Sequence, residues 1–102
     1  MIELIEQARA GIEALCRKYR VARLEVFGSA VTGRFDPSRS DLDFLVEYLP
    51  SGPVAPFLQY IDFLMDLEKL LGCKVDLVER KAIRNPYFLR AVDASRELLY
   101  AA

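Results

Sequence analysis

Two apolar rhythms alternate along this chain, and their order constrains the fold more than any other feature. From Ile2 to Tyr19 the residues Ile5, Ile12, Leu15, Cys16 and Tyr19 recur at three- and four-residue steps, the spacing of an amphipathic helix. Arg23 to Phe27 then reads as a strand, ended by Gly28-Ser29. SAVTG has room only for a short helical segment before the Gly33 to Arg39 loop, where Asp36-Pro37-Ser38 signals a turn. Leu42 to Tyr48 is a second strand. After the Pro50-Ser51-Gly52-Pro53 break, a helix from Pro56 to Leu71 carries Phe57, Tyr60, Ile61, Leu64, Leu67 and Leu71 on one stripe and ends at Gly72. Lys74 to Glu79 is a third strand. Asn85-Pro86 pairs an N-cap with a proline at the first helical position, opening a helix from Pro86 to Ala94, and Leu98-Leu99-Tyr100 adds a short edge strand.

Helix, strand, strand, helix, strand, helix in that order predicts an α/β (α+β) fold, a small mixed sheet with helices packed on one face. The 102 residues are expected to form a single domain over 1–102 with one core. Hydrophobic residues make up 53% and charged residues 28%, which describes a globular chain rather than a disordered one. A net charge of -1 supplies no general attraction to nucleic acid, so no direct nucleic-acid binding is expected.

No apolar stretch approaches the ~18 residues of a membrane span, and MIELIEQARA carries acids where a signal peptide carries lysines, so a cytoplasmic location with no membrane association is expected. Cys16 and Cys73 form no CxxC pair, which argues against a disulfide framework or a zinc site. The chain has no histidine. That removes Ser-His-Asp and Cys-His catalysis together with the commonest zinc ligand.

What remains for chemistry is carboxylate. Side chains alternate across a strand, so Asp41 and Asp43 share one face while Leu42, Phe44 and Val46 share the other. Like charges held this close repel unless a cation lies between them or one binds a proton. Asp76, in KVDLVE, interrupts a third apolar strand where aspartate is disfavoured. Should that strand lie beside the DLD strand, three carboxylates converge, and such a set can hold two magnesium or manganese ions ~3.5–4 Å apart. The plainer alternative is that Asp41 caps a turn and Asp43 is a solvated strand residue.

Gly28-Ser29 lies just upstream. Glycine lets the backbone approach a phosphate, and the serine hydroxyl with nearby N–H groups can hold anionic oxygens. Alone, the pair is also an ordinary strand-to-helix turn. Arg80, Lys81 and Arg84 read as a solvated loop close enough to the Asp76 strand to meet phosphate or an acidic partner.

Gly28-Ser29, then Ser40-Asp41-Leu42-Asp43, then Asp76 in VDLV together resemble the nucleotidyltransferase superfamily that includes DNA polymerase beta, and in particular its minimal nucleotidyltransferases. The resemblance extends over nearly the whole chain, including the leading helix and the ending NPYFLRAVDASRELLY. It implies a polymerase beta-like core in which Gly28 and Ser29 contact the nucleotide triphosphate. Asp41, Asp43 and Asp76 would be the catalytic carboxylates and the ligands of two Mg2+ ions, with ATP as the nucleoside triphosphate. It further implies transfer of AMP to a tyrosine of a partner HEPN ribonuclease toxin, which makes the protein an antitoxin. Two departures stand out: eleven residues, Ala30 to Ser40, separate GS from DxD, one more than is usual, and Ala30-Val31-Thr32 stands where many members carry a basic residue. Arg34 or Arg39 would be the residues to compensate, although each also reads as an ordinary solvated arginine.

Larger relatives grip base or acceptor with a further domain, so a partner chain or a homodimer is expected to complete the site. Two other readings stay open at this point: a non-catalytic binding protein that blocks its partner by occlusion, and a nucleotidyltransferase acting on a small molecule.

Overall fold

A computed structural model of the chain describes residues 2–36, 39–50 and 56–102. The proposed Asp36-Pro37-Ser38 turn and Pro50-Ser51-Gly52-Pro53 break fall mainly on residues outside that set. The elements run α1 (Glu3–Lys18), β1 (Val21–Phe27), α2 (Ser29–Thr32), β2 (Leu42–Tyr48), α3 (Pro56–Leu71), β3 (Val75–Glu79), a single 3-10 turn (Arg80–Ala82), α4 (Pro86–Ser95) and β4 (Glu97–Ala101).

Local chemistry accounts for several of these boundaries. Glu3 and Glu6 occupy the first turn of α1 and Arg17 and Lys18 its last, matching the partial charges of the helix ends. Gly72 closes α3 with φ +68 and donates its N–H to the Glu68 carbonyl at 2.8 Å. Asn85 caps α4 as its sequence position predicts, its side-chain oxygen accepting the N–H groups of Tyr87 and Phe88 at 2.8 and 3.4 Å.

The four strands form one mixed sheet in the order β3-β2-β1-β4. β1 runs antiparallel to β2 and β4, and β2 runs parallel to β3, with α3 as the crossover that a parallel pair requires. Strand alternation sends Leu24, Val26, Leu42, Phe44, Val46, Val75 and Leu77 to one face, where they pack on Ile5, Ile12 and Cys16 of α1 and Phe63, Leu67 and Leu71 of α3. Lys18 reaches Asp66 at 3.5 Å and the Tyr19 hydroxyl donates to the same carboxylate, joining the two helices at their edge.

Two details differ from the sequence reading. The buried stripe of α3 is Gln59, Phe63, Leu67 and Leu71, with Tyr60 and Leu64 partly covered, whereas Phe57 is 72% exposed. Phe63 occupies the centre of the packed face and turns the first-turn phenylalanine outward; Gln59 is accommodated because its side-chain amide donates to the Tyr19 carbonyl. The second difference is α4, which lies on the face of the sheet opposite α1 and α3. There Val92 is fully buried against Phe27 and Leu45, and Phe88 meets Phe27 edge-on with ring centroids 6.1 Å apart. A single apolar position such as Val92 fixes that a helix packs, but not on which face.

Candidate active site

The second sheet face carries the carboxylates. Asp43 follows Leu42 at the start of β2, and Asp76 follows Val75 at the start of β3. The parallel register pairs Asp43 with Asp76 directly, so the two side chains share a face, opposite the main core. Asp41 precedes β2 by one residue and is exposed, as is Asp76; Asp43 is half-buried. Burial, reinforced by the charges of Asp76 and Asp41, pushes the Asp43 carboxyl up to about 6. All three predicted carboxylates therefore act on one electrostatic neighbourhood.

Gly28 bounds that neighbourhood from the side. Phe27 pairs with Asp43 across the antiparallel β1–β2 ladder, and Gly28 leaves the strand with φ +75 and ψ -143, a conformation essentially confined to glycine. A Cβ at this position would stand 2.5 Å from Asp43 Oδ2, so the backbone favours glycine and any side chain here would push the Asp43 carboxylate aside. Ser29 opens α2, half-buried, immediately beyond. The strand-to-helix turn read at Gly28-Ser29 is present, and the structure sets it beside Asp43.

Asp41, Asp43 and Asp76 offer carboxylate oxygens, donors that suit magnesium or manganese rather than a thiophilic metal. Mutual repulsion among uncompensated carboxylates is also what a divalent cation would relieve. Among the described residues no three His, Cys, Asp or Glu side chains already converge on one point, so the carboxylates line a face instead of enclosing a ready-made cage. The residues fit the metal in donor type and charge.

The candidate basic residues are dispersed. Arg34 is exposed, and Arg39, 87% exposed, makes a long 3.9 Å ion pair with Asp36. Arg80 is not simply solvated: it pairs with Asp93 of α4 at 3.2 Å. Asp93 also meets Arg96 at 3.4 Å, and Arg96 reaches the buried Glu25 carboxylate at 3.3 Å, which Arg23 approaches at 3.2 Å. This network fastens α4 to the sheet. A concavity of about 640 Å³ lies at the other end of β2 and β3, lined by residues such as Val46, Tyr48, Glu79 and Arg80. It begins three register positions beyond the Asp43–Asp76 pair, roughly 10 Å along the strands, and contains none of the predicted site residues.

One residue at the site was not legible in the sequence. Ser95, in the last turn of α4, accepts the Gly28 N–H on its Oγ at 3.1 Å across 67 residues of chain. No spacing or motif signals such a contact.

The family described as Nucleotidyltransferase domain matches this chain over residues 9–99. A Methanocaldococcus jannaschii protein provisionally named a protein adenylyltransferase is 35% identical over 96% of this chain and 94% of its own length. A solved structure provisionally described as a minimal nucleotidyltransferase superposes with a TM-score of 0.74 at 28% identity, covering 94% of this chain and 95% of that one. The same fold recurs, with a TM-score of 0.64 at 18% identity, in a chain from the solved structure of a tri-AMPylated Shewanella oneidensis HEPN toxin in complex with MNT antitoxin, over 95% of this chain and 72% of that one.

Proposed function

The chain belongs to the nucleotidyltransferase domain family, and we propose that it transfers AMP from ATP to a hydroxyl of a partner protein, a tyrosine of a HEPN ribonuclease toxin, and so acts as its antitoxin. The observation that carries the reading is the register that sets Asp43 beside Asp76 with Gly28 pressed against Asp43.

In this reading Asp41, Asp43 and Asp76 hold two Mg2+ ions, and Gly28-Ser29 faces the triphosphate. Bound magnesium supplies neutralisation of the phosphate charge and orientation of the reacting oxygens. The protein's own part is positioning. Ser29 offers its hydroxyl to a phosphate oxygen, the glycine keeps the chain low enough for the triphosphate to approach, and the paired strands hold the carboxylates in fixed register. The acceptor oxygen attacks the α-phosphorus, its proton passes to Asp76, the bond from the α-phosphorus to the bridging oxygen breaks, and pyrophosphate leaves. No histidine is needed for any of this. The protein acceptor is supported by the name of the 35%-identical relative and by the HEPN toxin complex that shares the fold.

The test is the intact mass of a co-expressed HEPN partner after incubation with this protein, magnesium and each nucleoside triphosphate separately. The expected result is a gain of one or more AMP units with ATP alone, absent with Asp43→Asn. A stable complex with no gain in mass would replace transfer by occlusion.

A further inference from the structure

Gly28 is gripped from two sides. Asp43 Oδ2 closes the space where a side chain would stand, and the Gly28 N–H is held by Ser95 Oγ at 3.1 Å. The Ser95 hydroxyl has one proton, and that proton is committed to the Ala91 carbonyl one helical turn back, at 3.3 Å, which leaves the oxygen's lone pairs for Gly28. The bond is thus directional, and it runs from the end of α4 to the turn that separates β1 from Ser29.

We propose that Ser95 is a positioning residue for the nucleotide-binding turn: its hydroxyl fixes the Gly28 peptide, and through it the separation of the Ser29 hydroxyl from the Asp43 carboxylate. This inference rests on the nucleotidyltransferase reading of that turn. It also revises the role of Gly28, whose own N–H is occupied by Ser95 and is therefore withdrawn from phosphate, so that Gly28 contributes approach rather than donation. Replacing Ser95 leaves α4 with its other attachments, Val92 between Phe27 and Leu45, Phe88 on Phe27, and Arg96 on Glu25. Loss of the hydroxyl should therefore be felt at the turn and not in the fold.

The experiment compares the parent with Ser95→Ala and Ser95→Thr in three measurements: melting temperature, hydrogen exchange of the Gly28 amide, and affinity for the non-hydrolysed ATP analogue AMP-PNP with magnesium. Ser95→Ala should melt within a few degrees of the parent, lose protection at Gly28 and bind the analogue about tenfold more weakly, the worth of one hydrogen bond. Ser95→Thr, which keeps the hydroxyl, should restore both readouts. Parent-like affinity in Ser95→Ala would overturn the positioning role, whether or not the amide exchanges faster. If the parent itself failed to bind the analogue, the reading of the turn as a nucleotide site would fall, and the proposal with it. Binding by the parent combined with an indifferent Ser95→Ala would sink only the proposal.

Discussion

Among the described glycines, Gly28 is the one least open to substitution. Its φ of +75 with ψ -143 carries a penalty of about 1–3 kcal/mol for any L side chain, and alanine would in addition put its Cβ against Asp43 Oδ2. The carboxylate is the mobile party and must swing aside. Gly28→Ala should therefore lower stability by about 1–3 kcal/mol in chemical denaturation and cut AMP transfer by roughly a hundredfold, since an ångström of misplacement at a reacting centre has that effect. Activity that fell only in proportion to the unfolded fraction would mean that Asp43 is not at the reacting centre. Single residues were also where the sequence was most and least legible. Asn85-Pro86 announced the start of α4 because capping is local chemistry, and the shared face of Asp41 and Asp43 followed from strand alternation alone. Ser95 gave no signal, because its partner is 67 residues away and a serine in a last helical turn ordinarily serves its own helix.

Pairing of β2 with β3 turns two separate aspartates into one electrostatic unit, and that unit has a pH signature. The Asp43 carboxyl is raised from 3.8 to about 6 by burial and by the charges of Asp76 and Asp41. Between those two values the folded protein binds a proton that the unfolded chain does not, so this group's contribution to stability grows as pH falls through 6 and is lost as pH rises above it. In metal-free protein held with a chelator, Asp43→Asn should accordingly melt above the parent at pH 8, and the difference should shrink toward pH 5. A constant difference across that range would show that the Asp43 carboxyl is not raised by its burial and neighbours. The side of the sheet that α4 occupies was not legible in the same way. The Asn85-Pro86 cap identified α4 as a helix, but its burial depends on Val92 meeting Phe27 and Leu45, residues that also continue apolar strands. On α3 the periodicity placed Phe57 on the packed stripe, and the larger demand of Phe63, fully buried beneath Tyr19 and Tyr48, decided the rotation instead.

The two sides of the sheet are built from the same strands, so a ligand on the carboxylate face is expected to report on the whole fold. Leu42 and Phe44 alternate with Asp43, and Val75 and Leu77 with Asp76: the residues proposed to hold metal and nucleotide are held in turn by the main core. The strands and the faces of their apolar residues were legible in advance because alternation encodes both, whereas the pairing of β2 with β3 stood only as a condition that the structure meets; the same alternation makes the site and the core inseparable. If the chain unfolds in one transition, as its single-domain reading implies, a ligand that binds only the folded state at a hundred times its dissociation constant adds about 2.7 kcal/mol. For a domain of this length each kcal/mol raises the melting temperature by roughly 4–8 °C. ATP analogue and magnesium together should therefore raise the melting temperature by roughly 10–20 °C. A chelator should remove most of that rise. Asp43→Asn, although more stable than the parent without metal at pH 8, should show almost none of it. That reversal of order between the two proteins on adding ligand separates metal-dependent nucleotide binding from general stabilisation by salt, which would lift both curves together.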